Sequence, residues 1–221
     1  MKAFLPAVLV LLLAACGGVK PVAVDFHLPA LESGAFADSY YRQGWEQLRQ
    51  GDSEAAYRSF QNSMAPLDKK QAAFGYVFLA RRKFSAASDQ FALALEGNPG
   101  NVEAAMGRAM VLELEGRTAD AFRAYGDLLI RVPNDAWVKL KYESIRSDAT
   151  QAHLLAAEQA RGRDKGAYLR ELEQAAFYSP EMTAITLQIA DHYDSEGDPD
   201  RALPRYEAVL EREPHNVALL L

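Results

Sequence analysis

One thiol and four imidazoles are the side chains of this 221-residue sequence best suited to nucleophilic or metal chemistry. A thiol nucleophile needs a base beside it, and a metal centre needs three or four ligands brought together. The thiol, Cys16, stands at the end of an apolar run in the stretch LLLAACGG, residues 11–18. The imidazoles, His27, His153, His192 and His215, fall in four separate segments. His192 with Asp191 and Asp194 is the one grouping that looks like a ligand set. An i, i+2 pair on a helix points to different faces, so the grouping reads as solvated helix surface and no metal is expected. The chain contains no HExxH, GxSxG or GxGxxG, and ARGRDKG at 160–166 lacks the spacing of a phosphate-binding loop and reads as a turn. No catalysis and no cofactor are expected.

The chemistry of Cys16 is that of an anchor. Lys2 supplies a positive start, and Ala3 to Leu13 form an apolar run broken only by Pro6. The run is shorter than the roughly 20 residues that span a bilayer, so residues 1–15 read as a processed leader. Leu13-Ala14-Ala15-Cys16 resembles the lipobox of bacterial lipoproteins, with the small pair, the leucine and the cysteine all in register. The competing reading, an ordinary leader with a cysteine beside the cut, leaves that register to chance. The resemblance implies a diacylglycerol on the thiol and a further fatty acyl chain, such as palmitate, on the new amino group. Several acyl chains at about 0.8 kcal/mol per buried methylene hold a protein stably on a membrane. In this family an Asp directly after the cysteine commonly retains the protein in the inner membrane. Gly17 carries no such signal, so the implied location is the outer membrane, facing the periplasm, in a host with two membranes.

Charge and cysteine usage fit that placement. A lone cysteine makes no internal disulfide, so the fold must be stable on packing alone. Loss of residues 1–15 removes Lys2 and moves the formal net charge from −6 to −7. That balance argues against a nucleic-acid partner and against broad electrostatic attachment to anionic lipid. Residues 16–36, with two prolines and no sustained period, read as the lipidated cysteine and a flexible tether.

Beyond the tether the sequence repeats. Ala87, Phe91 and Pro99 recur 34 residues later as Ala121, Tyr125 and Pro133, and again as Ala202, Tyr206 and Pro214. Gly116 and Gly197 each stand five residues before the alanine. Each unit reads as two amphipathic helices in which the alanine permits close approach and the aromatic fills the gap one turn on. The pattern resembles the tetratricopeptide repeat, and it extends to Gly44, Ala56 and Phe60 in a first unit and Gly75, Ala87 and Phe91 in a second. The resemblance implies an all-α, right-handed superhelical solenoid of about five helix pairs over 37–214, with 215–221 starting an incomplete sixth repeat or cap. The interval from Ala56 to Ala87 is 31 residues, which predicts a tight loop around Met64 to Asp68. From Pro133 to Pro180 it is 47, and the 13-residue surplus falls at 136–148, either lengthening a helix or forming an extra one. Tyr168 and Leu172 replace the alanine and the aromatic of the fourth unit.

By that resemblance the first helix of each pair lines a concave groove. Its positions fall at Tyr41, Trp45, Leu48 and Arg49, then Tyr76 and Leu79, then Met106, Met110 and Glu113. Aromatic residues and methionines suit a partner's amphipathic helix or extended segment; the alternative is that Tyr41, Trp45 and Tyr76 pack against the next unit. Some members clamp a C-terminal carboxylate with Lys, Asn and Arg, but here those places hold Tyr41, Trp45, Tyr76 and Glu103, so that mode is not expected. The expected function is a membrane-anchored scaffold for envelope proteins, such as a pilus, secretion or other outer-membrane assembly. The alternatives are a structural lipoprotein self-associating through its leucine-rich C-terminal end, and an adaptor for peptidoglycan hydrolases.

Overall fold

The computed structural model describes Leu28 and residues 38–215. Cys16, the leader, His27, most of the tether and Leu219 to Leu221 lie outside the described residues. Among the described residues there are ten helices and no strand: α1 (Ser39–Arg49), α2 (Ser53–Asn62), α3 (Leu67–Ala80), α4 (Phe84–Gly97), α5 (Val102–Leu114), α6 (Thr118–Arg131), α7 (Ala136–Ala160), α8 (Lys165–Tyr178), α9 (Thr183–Ser195) and α10 (Pro199–Arg212). They form five pairs stacked in chain order, the all-α solenoid that the repeat pattern implies.

The local sequence explains the boundaries. Carboxylate or amide side chains of Asp38, Asp52, Asn101, Asp135, Asp164 and Asp198 accept backbone N–H bonds at the first turns of their helices. The turn inside each pair needs one residue in the left-handed region. Gly116 supplies it in the third pair at φ 73°, whereas in the second pair Arg82 adopts φ 56° and carries the side-chain strain.

Packing follows the repeat residues. Ala56, Ala87, Ala121 and Ala202 are buried at the fourth position of their helices. One turn on, Phe60, Phe91 and Tyr125 are fully buried. A methyl group at Gly44 would overlap the Phe60 ring, and one at Gly75 or Gly107 would overlap Phe91. These glycines are therefore sockets for the aromatic of the second helix. In the fourth pair Tyr168 is half-buried at the alanine place and Leu172 is buried at the aromatic one, so that pair closes with different side chains. Equivalent ties join successive pairs: Arg131 donates to the Pro99 carbonyl at 2.7 Å, and Arg212 to the Pro180 carbonyl.

Two expectations about spacing resolve differently. The connection between α2 and α3 spans 63–66, as long as those at 98–101, 132–135 and 179–182, so the short first interval is not a tight loop. The deficit lies in α2, which has 10 residues where α4, α6, α8 and α10 have 14, about one turn less. The 136–148 surplus lengthens the first helix of the fourth pair, making α7 25 residues long.

That long helix joins two cores. Val138, Ile145 and Ala149 belong to the main core built by α1 to α6, while Ala157 belongs to a smaller core with Leu172, Ala175, Ile185, Ile189, Tyr193 and Ala202. At the junction Phe122 stacks on Tyr142 at 4.7 Å and meets Phe177 and Tyr178. Leu28, within the segment expected to be a tether, is half-buried against the main core. Among the described residues no helix is long and apolar enough to cross a membrane.

Candidate interaction surface

The nine residues expected to line the groove separate into two groups. Tyr41, Trp45, Leu48, Tyr76, Leu79, Met106 and Met110 are buried, Trp45, Tyr76 and Leu79 completely. They are core rather than an open binding surface, and the expectation that a partner helix meets Trp45 and Tyr76 is corrected accordingly. First helices of neighbouring pairs pack directly on each other, α1 on α3 and α3 on α5, which covers the side of the helix that would otherwise face a groove. Trp45 illustrates this, with its ring centroid 5.4 Å from Phe60 on α2 and 5.2 Å from Tyr76 on α3. Tyr76 in turn meets Phe91 at 5.2 Å.

The tyrosine hydroxyls are used in the same joints. Tyr41 donates to the Lys69 carbonyl at 3.3 Å and Tyr76 to the Glu103 carbonyl at 3.1 Å, each reaching the helix of the next pair. Burial pushes both phenols well above their ordinary range, so they remain neutral donors at any physiological pH.

Arg49 and Glu113 reach solvent. Arg49 is exposed and pairs with Glu46 of its own helix at 3.7 Å. Glu113 is half-buried, accepts from the Tyr125 hydroxyl at 2.8 Å and pairs with Lys141 of α7 at 2.7 Å. Lys141 also stands 5.6 Å from the Trp137 ring. The equivalent joint between α3 and α5 is the Lys69–Glu103 pair, with Nζ 2.7 Å from both carboxylate oxygens. Two cross-helix ion pairs, one at each end of α5, therefore stand on the first helices where an aromatic row was expected. Its sequence signal is the opposite charge of Lys69 and Glu103, one 34-residue period apart.

The remaining candidates occupy separate places. His153 Nδ1 lies 2.7 Å from a Glu171 oxygen and its ring stacks on Tyr178. His192 faces Tyr168 at 5.8 Å, and Asp191 accepts from the Tyr206 hydroxyl. Among the described residues no group of three or more His, Cys, Asp or Glu side chains could hold a metal ion. Asp191 and Asp194 are exposed on α9, and His215 is exposed after α10.

Comparison with known proteins agrees with the helix pairs. Residues 72–136 and 187–221 match the tetratricopeptide repeat family. No curated protein matches the sequence. Among solved structures the chain is similar to MamA AMB-1, at 13% identity and a TM-score of 0.42 over 82% of this chain and 96% of that one. It is also similar to MamA residues 41 to the end from Desulfovibrio magneticus RS-1, at 16% identity and 0.38 over 80% and 94%. A third is TTC0263, a thermophilic TPR protein in Thermus thermophilus, at 18% identity and 0.43 over 81% and 93%.

Proposed function

We propose that this tetratricopeptide-repeat protein is a lipid-anchored scaffold that holds partner proteins at the bacterial envelope and does no chemistry of its own. The observation that carries the reading is the use made of its aromatic and ion-paired side chains: they lock one helix pair to the next, leaving an ordered, charged surface on a stacked array. Such arrays present extended binding surfaces because each repeat contacts only its neighbours. Anchorage rests on the lipobox at Leu13 to Cys16, with the outer membrane the location that Gly17 favours. Within the class, assembly of a pilus, secretion or other outer-membrane complex is the function proposed. The test is twofold. Metabolic labelling with an alkyne fatty acid should mark the native chain and not Cys16→Ser, and that variant should leave the membrane fraction; a labelled Cys16→Ser would sink the anchor. Photo-crosslinking from Lys69 and Lys141 should join the native chain to another envelope protein.

A second reading, self-association through the C-terminal end, has one observation in its favour: Leu203 is exposed on α10, the last of the described helices. Sedimentation of the full chain at two concentrations distinguishes it, since Leu203→Ser would abolish concentration-dependent association.

A further inference from the structure

A cleft of about 350 Å³ opens between α4 and α6, the second helices of neighbouring pairs, with α5 as its floor. Four arginines line it, Arg108, Arg117, Arg123 and Arg131, together with Asp120 and Asp127. The lining carboxylates Asp120 and Asp127, with Glu115 paired to Arg117 at 3.8 Å, leave a local excess of one positive charge against the four guanidiniums, on a chain whose formal net charge is −6.

The internal pairing is incomplete. The single carboxylate of Asp120 serves both Arg117, at 2.7 Å, and Arg123, at 3.1 Å. Arg123 also stands over the Phe177 ring at 5.1 Å, which fixes its position. Arg131 spends one N–H on the Pro99 carbonyl, a contact that orients the guanidinium without neutralising it. Arg108 is exposed, and among the described residues it makes no hydrogen bond or ion pair. Between the charges lie three partly exposed apolar side chains, Leu95, Ala105 and Ala124, while Leu112 and Leu128 are buried beneath them.

We propose that this cleft, resting on the scaffold reading above, is the docking site for an acidic segment of a partner protein, in which carboxylates alternate with apolar side chains. A guanidinium offers a planar fork that matches a carboxylate with two parallel N–H bonds, and Arg108 and Arg131 are the two forks with donors to spare. The apolar wall between them takes the intervening side chain. Asp120 and Asp127 oppose a dianionic phosphate or a phosphodiester chain, and spaced single charges avoid them. The acidic remainder of the molecule repels an acidic segment elsewhere on the surface and leaves the cleft as the place where it can dock.

The probe is a fluorescein-labelled twelve-residue peptide of alternating Glu and Leu, its binding to the full chain followed by anisotropy. The native chain should bind it, and binding should weaken several-fold as salt is raised through the range where exposed charges are screened. Arg108→Ser with Arg131→Ser should lose about tenfold or more in affinity, whereas Lys165→Ser with Arg170→Ser, on α8, should not. Arg108→Glu alone is the second variant, since Arg108 supports no contact in the fold, and it should also lose about tenfold. Circular dichroism checks that each variant is folded. Native affinity in the Arg108 and Arg131 variants overturns the proposal. So does binding to anionic vesicles but not to the peptide, and so does self-association of the native chain that the same variants abolish. If the native chain ignores the peptide while crosslinking from Lys69 or Lys141 still captures an envelope protein, the cleft proposal falls and the scaffold reading stands. If both fail, both fall.

Discussion

Trp45→Ala separates a core residue from a binding residue. The indole is fully buried, with ring partners in Tyr41 at 6.1 Å, Phe60 at 5.4 Å and Tyr76 at 5.2 Å. A buried aromatic removes about 150–250 Å² from water, and at about 25 cal/mol per Å² that is about 4–6 kcal/mol. Measured truncations of buried Phe and Trp fall at about 3–5 kcal/mol, and the lower range is expected here. With a urea slope of about 2–3 kcal/mol per molar, the unfolding midpoint should fall by about 1–2 M, followed by circular dichroism. Trp45→Phe keeps most of the ring contacts and removes the buried indole N–H. That variant should cost less than about 2 kcal/mol. A binding residue behaves oppositely, with an unchanged midpoint and lost partner affinity. An unchanged midpoint in Trp45→Ala would refute the assignment of the aromatic row to the core.

Three further outcomes follow from the packing. Gly107→Ala places a methyl group inside the Phe91 ring at an overpacking cost of about 1–3 kcal/mol, against which alanine's better helix propensity returns about 1 kcal/mol, so the urea midpoint should fall or at best stay unchanged. Lys69 and Glu103 are 23% and 25% exposed, between surface and buried, and a double-mutant cycle with Lys69→Met and Glu103→Gln should give a coupling of about 1 kcal/mol; no coupling would show that the pair does not join α3 to α5. Burial works to raise the Asp68 carboxyl, but hydrogen bonds from Asn98 and Asn101 outweigh it and hold it below its ordinary range. A depressed folded-state pKa means the stabilisation is present above the unfolded value of about 3.9 and is lost as pH falls through the folded one. The stability gap between the native chain and Asp68→Asn, read from urea midpoints, should therefore be constant near neutral pH and close on acidification below about pH 4. A gap independent of pH would contradict it.

The period of 34 was legible because the solenoid joint demands it. Ala121 and Tyr125 recur at fixed spacing since a second helix must come close and then fill the socket one turn on, and the fourth pair, which does this with Tyr168 and Leu172, is where the pattern faded. The insertion was legible as length, and its continuous amphipathic pattern suited the long α7 that it forms. The deficit between the first two units was misplaced, because an interval counts residues and does not say whether a helix or a loop has lost them. The facing of Trp45 and Tyr76 was not legible: on a 3.6-residue helix the groove positions and the joint positions lie side by side, and only the partner helix decides which is covered. The arginine cleft left no local signal, since Arg108, Arg117, Arg123 and Arg131 come from two helices and a turn and form no charge run. Opposite charges one period apart, as at Lys69 and Glu103, are the kind of signal that period-aware reading recovers.

The central claim is that an anchored, stacked array recruits other proteins through its exposed surface. It is tested most directly by placing a photo-crosslinking amino acid at Lys69, Arg108 or Lys141 of the full chain in its host and identifying the adducts. The account predicts an adduct to another envelope protein from at least one of these positions, lost when Cys16→Ser releases the chain from the membrane. No adduct to another protein from any of the three, with Cys16→Ser fractionating as the native chain does, would contradict it.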